Sequence, residues 1–397
     1  MIKIEKIRPI VRTGMLPYTE QLIPIQPGLV DIFNSNPDTY LSWYYKDFPF
    51  KLPDNIQIGK LKGIGLQELL IKEPDDTYYE IDQESFCQMP RRMLKELVTK
   101  HKIIIYDLME GGTYYNLVRL RERLKNIQPL DMILFHSGSF YGWLEDPKWR
   151  QIYAPFYALF TYNVNRSKAK FKYNPKKLAL VPCRRPRDSR VKLLARLHEK
   201  DLLKECDWSL TFVTSTGTEY GDFFKSPNVN AQRFSLMLDT DEQYIKNFYN
   251  AHKDQLPKSF EDMPNVHFSD TSLISPKWYG NYKFNIVTET FDTPGNHFFT
   301  EKTFKPMMLG LPFVIYSGAN CEKYLSRYGF RTFEAEYDKL GYGERTDAII
   351  DFIQQDHNMS ELEEIAHYNF NLMKDENFLL DIIVKKIALI RQQVLPL

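Results

Sequence analysis

Hydrophobic positions along this chain fall into two zones in which short apolar runs alternate with helical periods. In the first zone, Lys102 to Tyr106 (KIIIY) reads as a buried strand, Tyr115 to Leu124 as a helix and Met132 to Phe135 (MILF) as a second strand. In the second, Leu178 to Val181, Leu210 to Val213, Phe284 to Val287 and Pro312 to Tyr316 read as strands, separated by helical patterns such as Val191 to Leu203. Unbroken apolar runs of this length suit strands buried on both faces of a parallel sheet. The alternation therefore predicts two α/β units. Between them NRSKAKFKYNPKK, residues 165 to 177, is polar, carries Pro175 and reads as a linker. Ser360 to Val394 has long helical periodicity, and its terminal helix is expected to pack back across the first unit. The resulting domain bounds are 1–170, 171–375 and a crossover helix at 376–397.

One element is punctuated at both ends. In FFTEKTFKPMMLGLPFVIYSG, residues 298 to 318, Thr300 is an N-cap, Glu301 to Leu309 carry apolar residues at Phe304, Met307 and Met308, and Gly310 supplies a left-handed stop. Leu311 to Tyr316 then reads as a strand. Glu301 and Lys302 fall in the first helical turn, where free backbone N–H groups and the positive dipole end favour a bound anion.

Bulk composition narrows the class without naming a function. A chain of 397 residues is long for one core, which agrees with two domains. Hydrophobic residues at 43%, charged residues at 26% and a net charge of +1 are ordinary for a globular protein and exclude the strongly basic class. Cys87, Cys183, Cys206 and Cys321 are far apart and show no paired metal-ligand spacing, so buried, reduced thiols are expected. The N-terminal MIKIEKIRPIVR lacks the unbroken apolar core of a signal peptide. The longest uncharged runs, residues 151 to 165 and 306 to 321, fall short of the ~20 residues of a membrane span. A cytoplasmic protein is the expectation.

Charge is concentrated locally. From Arg166 to Lys200 there are 13 Lys or Arg against Asp188 and Glu199 alone. In LALVPCRRPRDSRVKLLARL, residues 178 to 197, Arg184, Arg185, Arg187 and Arg190 lie between a strand and a helix, at the end of a parallel strand where open α/β sheets bind ligands. Guanidinium groups match phosphate oxygens in bidentate geometry, although a solvated charged turn is the commoner meaning of such a run. In the first unit, Asp107 and Glu110 follow the KIIIY strand and precede Gly111 and Gly112. Either carboxylate is placed to act as a general base or merely to cap the next helix. His136, after the second strand, is a further candidate. Asp239-Thr240-Asp241 resembles a short metal-holding acidic motif, but it precedes the helical run EQYIKNFY and a capping role explains both acids, so no metal site is assigned. No Gly-rich phosphate loop is present.

Together IVTETF at 286 to 291, the loop DTPGNHF, FFTEKTFKPMMLGLPFVIY and GFRTF at 329 to 333 resemble the donor domain of inverting glycosyltransferases. The likeness is to fucosyltransferase-like and exostosin-like enzymes of GT-B fold, including phage and viral members. CRRPRDSRVKLLARL resembles their arginine-rich segment, with Cys183 and Ser189 where the family often has Asn and His, so Arg185 and Arg190 are the safer correspondences. The match covers roughly residues 176 to 335. It implies two Rossmann-like domains with parallel sheets facing a cleft, the C-terminal one holding a nucleotide sugar. By the resemblance Glu301, behind its cap Thr300, takes the ribose hydroxyls, Lys302 with Arg185 and Arg190 neutralises the diphosphate, and Glu289 lines the sugar side. Glu110 is the candidate base, Asp107 the reserve, and neither a metal nor another cofactor is required.

Two further matters stay open at the level of sequence. The acceptor is either a glycan or DNA. The length of the basic stretch and the interleaved Phe171 and Tyr173 suit a polyanion such as phage DNA carrying a hydroxymethylated base. The alternative in another class is a non-catalytic module that binds a nucleotide or nucleic acid on the same fold.

Overall fold

Ile103, Ile104 and Ile105 are all fully buried, as an apolar run covered on both faces requires. They belong to a computed structural model that describes residues 2–7, 56–58, 63–107, 114–136, 138–140, 148–153, 156–166, 169–183, 187–210, 242–256, 258, 280–289, 296–333, 335–379 and 381–382. The chain divides into two units, residues 1–163 with 376–397, and residues 164–375.

The first unit runs β1 (Ile2–Lys6), β2 (Ile56–Ile58), α1 (Leu66–Ile71), β3 (Thr77–Asp82), α2 (Gln83–Gln88), α3 (Arg91–Lys100), β4 (Lys102–Asp107), α4 (Tyr114–Arg123), β5 (Asp131–His136), β6 (Gly138–Phe140), β7 (Arg150–Tyr153) and α5 (Phe156–Asn165). Six of these strands form a parallel sheet in the order β2-β1-β3-β4-β5-β7. One face of it packs on Leu94, Leu97 and Val98 of α3, spaced three and four residues apart as one stripe of a helix. At the opposite end from the strand carboxyl termini, Arg150 Nη2 bridges Asp131 at 2.9 and 3.0 Å, and Tyr78 Oη donates to the same carboxylate at 2.5 Å. That brace ties β3, β5 and β7 together. Residues after Asp375 return to this unit, where Tyr162 Oη donates to Glu376 Oε1 at 2.7 Å.

In the second unit come β8 (Lys177–Cys183), α6 (Asp188–Glu199), β9 (Cys206–Leu210), α7 (Gln243–His252), β10 (Tyr282–Thr288), β11 (Asn296–Phe298), α8 (Glu301–Leu309), β12 (Phe313–Tyr316), α9 (Cys321–Ser326), α10 (Tyr342–Gln354) and α11 (Met359–Lys374). Its parallel sheet has the order β12-β10-β8-β9. Helix α6 buries Val191, Leu193, Leu194 and Leu197 against that sheet, each contributing about 1.5–3 kcal/mol by leaving water.

Most strands predicted from the apolar runs are present, within a residue or two at their ends. The exception is Leu210 to Val213: β9 occupies Cys206–Leu210, and residues 211–213 lie outside the described residues. Helix α6 also differs from the expected Val191 to Leu203. It starts at Asp188 and stops at Glu199, because Asp201 adopts a left-handed φ of 58° that an α-helix cannot continue through. Strands β1, β3 and β7 carry no long apolar run and were not anticipated. All four cysteines are buried and free. Among the described residues no helix is long and apolar enough to cross a membrane.

The ends of α8 are as the sequence predicts, with Thr300 capping through its side chain and Gly310 at φ 64°. A Cβ on Gly310 would lie 2.7 Å from Cδ2 of Phe171, whose ring also packs 4.5 Å from His367 and 5.6 Å from Phe370. Tyr173 donates to the Lys283 carbonyl at 3.4 Å. Phe171 and Tyr173, whose interleaving with the basic stretch suited a polyanion, thus pack the 171–176 segment over the second unit.

Candidate functional site

The sheet order of the second unit defines where a ligand crevice falls. From β8 the chain moves to β9 on one side, then returns to β10 on the other side of β8 and continues outward to β12. Open α/β sheets bind ligands outside the carboxyl ends of the strands at such a reversal. Here that point lies between the ends of β8 and β10. Arg187 and Arg190 follow β8, while Glu289, Thr300, Glu301 and Lys302 follow β10, so the topology gathers these six sequence-predicted residues around one crevice.

Arg190 ties the first turn of α6 to the end of β10. Its side chain is 3% exposed, and Nη2 donates to the Thr288 carbonyl at 3.1 Å. Cys183 Sγ lies 3.9 Å from Thr288 Oγ1. Burial pushes this thiol up to about 11, with the neighbouring Arg190 charge working the other way, so Cys183 is no nucleophile. Arg187 stands at the N-cap of α6, half-buried, and makes no side-chain cap bond.

At the start of α8 the hydrogen bonds form a chain. Glu289 is 5% exposed and accepts three bonds: Thr300 N at 2.9 Å and Thr303 Oγ1 at 2.6 Å on one oxygen, Thr300 Oγ1 at 2.7 Å on the other. Thr300 Oγ1 accepts from Lys302 N at 3.3 Å and from Lys302 Nζ at 3.2 Å. The same ammonium sits 2.9 Å from Glu301 Oε1. Burial alone would raise the Glu301 carboxyl, but Lys302 and then Lys305 hold it below its usual range. Thr303 N in turn donates to the Thr300 carbonyl at 3.1 Å. Thr300 N, Lys302 N and Thr303 N are therefore not the open donors that the sequence pattern suggests, since Glu289 and Thr300 take them from within. What the element offers a ligand is the part-exposed Lys302 ammonium and the Glu301 carboxylate.

Beside this crevice, the turn after β12 is held by charges that sequence reasoning missed. Arg345, 0% exposed, reaches the Ile315, Gly318 and Asp338 carbonyls and the Asp338 carboxylate. Glu322, also 0% exposed, accepts from Ile315 N and from Tyr337 Oη. No spacing signal marks these residues, since they come from separate loops and helices. The GFRTF segment is likewise structural. Arg331 pairs with Glu364 at 2.6 Å and exchanges backbone bonds with the Asn369 side chain, and Phe330 packs on Phe304.

Asp107 ends β4, in register with His136 at the end of β5, but neither side chain is among the described residues. Glu110, Arg184, Arg185, Asp239 and Asp241 lie outside the described residues altogether. The helix after the acidic pair starts at Gln243, and Glu242, at its N-cap, pairs with Lys192 at 2.7 Å instead of capping.

No protein-family model matches the chain, and no curated protein matches its sequence. Among solved structures it is similar to an α,α-trehalose-phosphate synthase (UDP-forming) from Burkholderia vietnamiensis, at 12% identity and a TM-score of 0.43, covering 81% of this chain and 75% of that one. The α,α-trehalose 6-phosphate synthase of Burkholderia multivorans gives 13% identity and a TM-score of 0.43, over 81% and 73% of the two chains. A structure from E. coli bound with UDP-2-fluoro glucose gives 11% and 0.42, over 83% and 76%. A likeness this shallow assigns no role to any side chain.

Proposed function

We propose that this chain is a nucleotide-sugar-dependent glycosyltransferase of GT-B type, with the donor diphosphate at the carboxyl ends of β8 and β10. The observation that carries the reading is the topological reversal between those strands, with Arg187 and Arg190 on one side and Glu289, Thr300, Glu301 and Lys302 on the other. Lys302 supplies the accessible cation, and Arg184 and Arg185 are assigned to the same diphosphate. The Glu301 carboxylate accepts from ribose hydroxyls. Cations set around the leaving phosphate stabilise charge that grows as the sugar–phosphate bond breaks. Inversion needs a base for the acceptor hydroxyl, and Glu110, with Asp107 in reserve, is the residue offered for it.

A screen of nucleoside diphosphates by thermal shift tests the class, and calorimetry on Lys302→Ala tests the site. Loss of one charge-assisted contact of about 1.5–3 kcal/mol weakens Kd by roughly 10- to 150-fold. Unchanged affinity would remove Lys302 from the site. Because cationic side chains do the neutralising, transfer is expected to continue in EDTA. Abolition by EDTA with recovery on adding Mn²⁺ or Mg²⁺ would show a metal-dependent reaction.

For the acceptor we favour a glycan hydroxyl over DNA. Four cations of the basic stretch are opposed by acids: Lys177 by Asp207, Lys192 by Glu242, Arg196 by Glu199 and Asp347, and Lys200 by Asp351. Each pairing lowers the positive field that a polyanion would use.

A further inference from the structure

The first sheet has a reversal of its own. β1 leads to β2 on one side, whereas β3, bonded to the other edge of β1, leads away to β4. The crevice rule therefore points to the carboxyl ends of β1 and β3, one strand over from Asp107. Three polar side chains are buried there: Lys6 at 5% exposure, Glu80 at 0% and Gln83 at 5%. Lys6 and Glu80 are partners in the parallel register, so they emerge side by side on one face, and with Asp82 ending β3 the place carries no excess of positive charge. Gln83 is the first residue past β3.

Gln83 is where the local hydrogen bonding fails to close. Neither Oε1 nor Nε2 finds a partner among the described residues, so flipping the amide does not help. Its surroundings are otherwise satisfied. Ile7 N donates to the Glu80 carbonyl at 2.9 Å, and the Asp82 carboxylate takes Ser85 N at 2.8 Å. A buried carboxamide with both ends unmet is costly to keep unless something else supplies the partners.

We propose that this reversal is a second ligand site, in which the Gln83 carboxamide binds neighbouring hydroxyls of a sugar ring. The oxygen accepts from one hydroxyl and the nitrogen donates to the next, and Glu80 and Asp82 set against Lys6 suit an uncharged ligand over a phosphate. The choice of a sugar rests on the glycosyl-transfer reading, whereas the place of the site rests on the sheet order alone.

Saturation-transfer NMR on the full chain, with the methyl glycosides of glucose, galactose and mannose as probes and adenosine as control, tests this. The parent protein should show transfer to at least one glycoside, and saturating adenosine should not displace it. Gln83→Leu, which removes the unmet donors, should melt no lower than the parent, keep its nucleoside diphosphate binding and lose at least five-fold of the sugar signal. Gln83→Met, unbranched and of similar length, should behave alike if leucine's shape proves disruptive. The proposal is overturned if no glycoside receives transfer, if the signal survives both substitutions, if adenosine binds in the sugar's place, or if both variants lose nucleotide and sugar together. Failure of the parent to bind any nucleoside diphosphate would instead count against the donor-site reading, and it leaves the glycoside result to be read separately.

Discussion

Arg345→Met is expected to lower the unfolding free energy of the second unit by about 3–5 kcal/mol, the usual cost of removing one partner from a buried ion pair. For a unit of this size the thermal midpoint should fall by roughly 6–20 °C. The guanidinium is fully enclosed and donates to Ile315 O at 3.1 Å, to Gly318 O and Asp338 O at 3.0 Å each, and to Asp338 Oδ1 at 2.6 Å. Asp338 also takes Glu322 N at 3.1 Å and Lys323 N at 3.0 Å, at the start of α9. Methionine fills the volume but leaves the Asp338 charge buried with only those amides, next to Glu322.

The same network gives a pH signature. Burial first, and the Asp338 charge second, push the Glu322 carboxyl from its ordinary 4.5 to about 8. A carboxyl raised on folding contributes stability that is fully present below 4.5 and is lost as pH rises through about 8. Calorimetric melts should therefore show the parent less stable at pH 9 than at pH 6. A loss below about 1 kcal/mol for Arg345→Met would mean that the turn after β12 does not depend on this pair.

Glu289→Ala should be nearly as damaging, and it reports on function as well. Its carboxylate is the acceptor for Thr300 N, Thr300 Oγ1 and Thr303 Oγ1, so truncation strands three buried donors at about 1–3 kcal/mol each, in part relieved by water. We expect a loss on the order of 3 kcal/mol, with Glu289→Gln intermediate because it keeps one acceptor oxygen. Thr300 Oγ1 also helps to hold the Lys302 ammonium, together with Glu301. Nucleoside diphosphates and their sugars should therefore both bind more weakly, in parallel, to Glu289→Gln. If instead the melting temperature is unchanged and only the sugar-bearing nucleotide loses affinity, Glu289 contacts the sugar and does not anchor the helix.

Lys102 to Tyr106, Phe284 to Val287 and the strand after Gly310 were readable because an apolar run buried on both faces has one inexpensive solution, a strand of a covered parallel sheet. The bounds of α8 were readable because a threonine cap and a left-handed glycine act within one turn of the backbone. Strand β1 was not, since IKIEK looks like a surface strand until Lys6 is found buried against β3. Arg190 was singled out as a ligand residue, yet its buried side chain also joins α6 to the end of β10.

By itself, then, the sequence determined the two α/β units, the central strands and the residues that follow them, because dihedral preference and burial period are properties of neighbouring residues. Only the tertiary structure decided which charges are left for a ligand. Lys200 meets Asp351 across 151 residues of chain, and Lys192 meets Glu242 across 50. The same holds for the start of α8, where Thr300 N is taken by the Glu289 carboxylate from just past β10 and Lys302 N by the Thr300 hydroxyl. Coulomb and hydrogen-bond energies act over a few ångströms of space, and the sheet order, which the apolar pattern does not encode, sets which residues come within that distance.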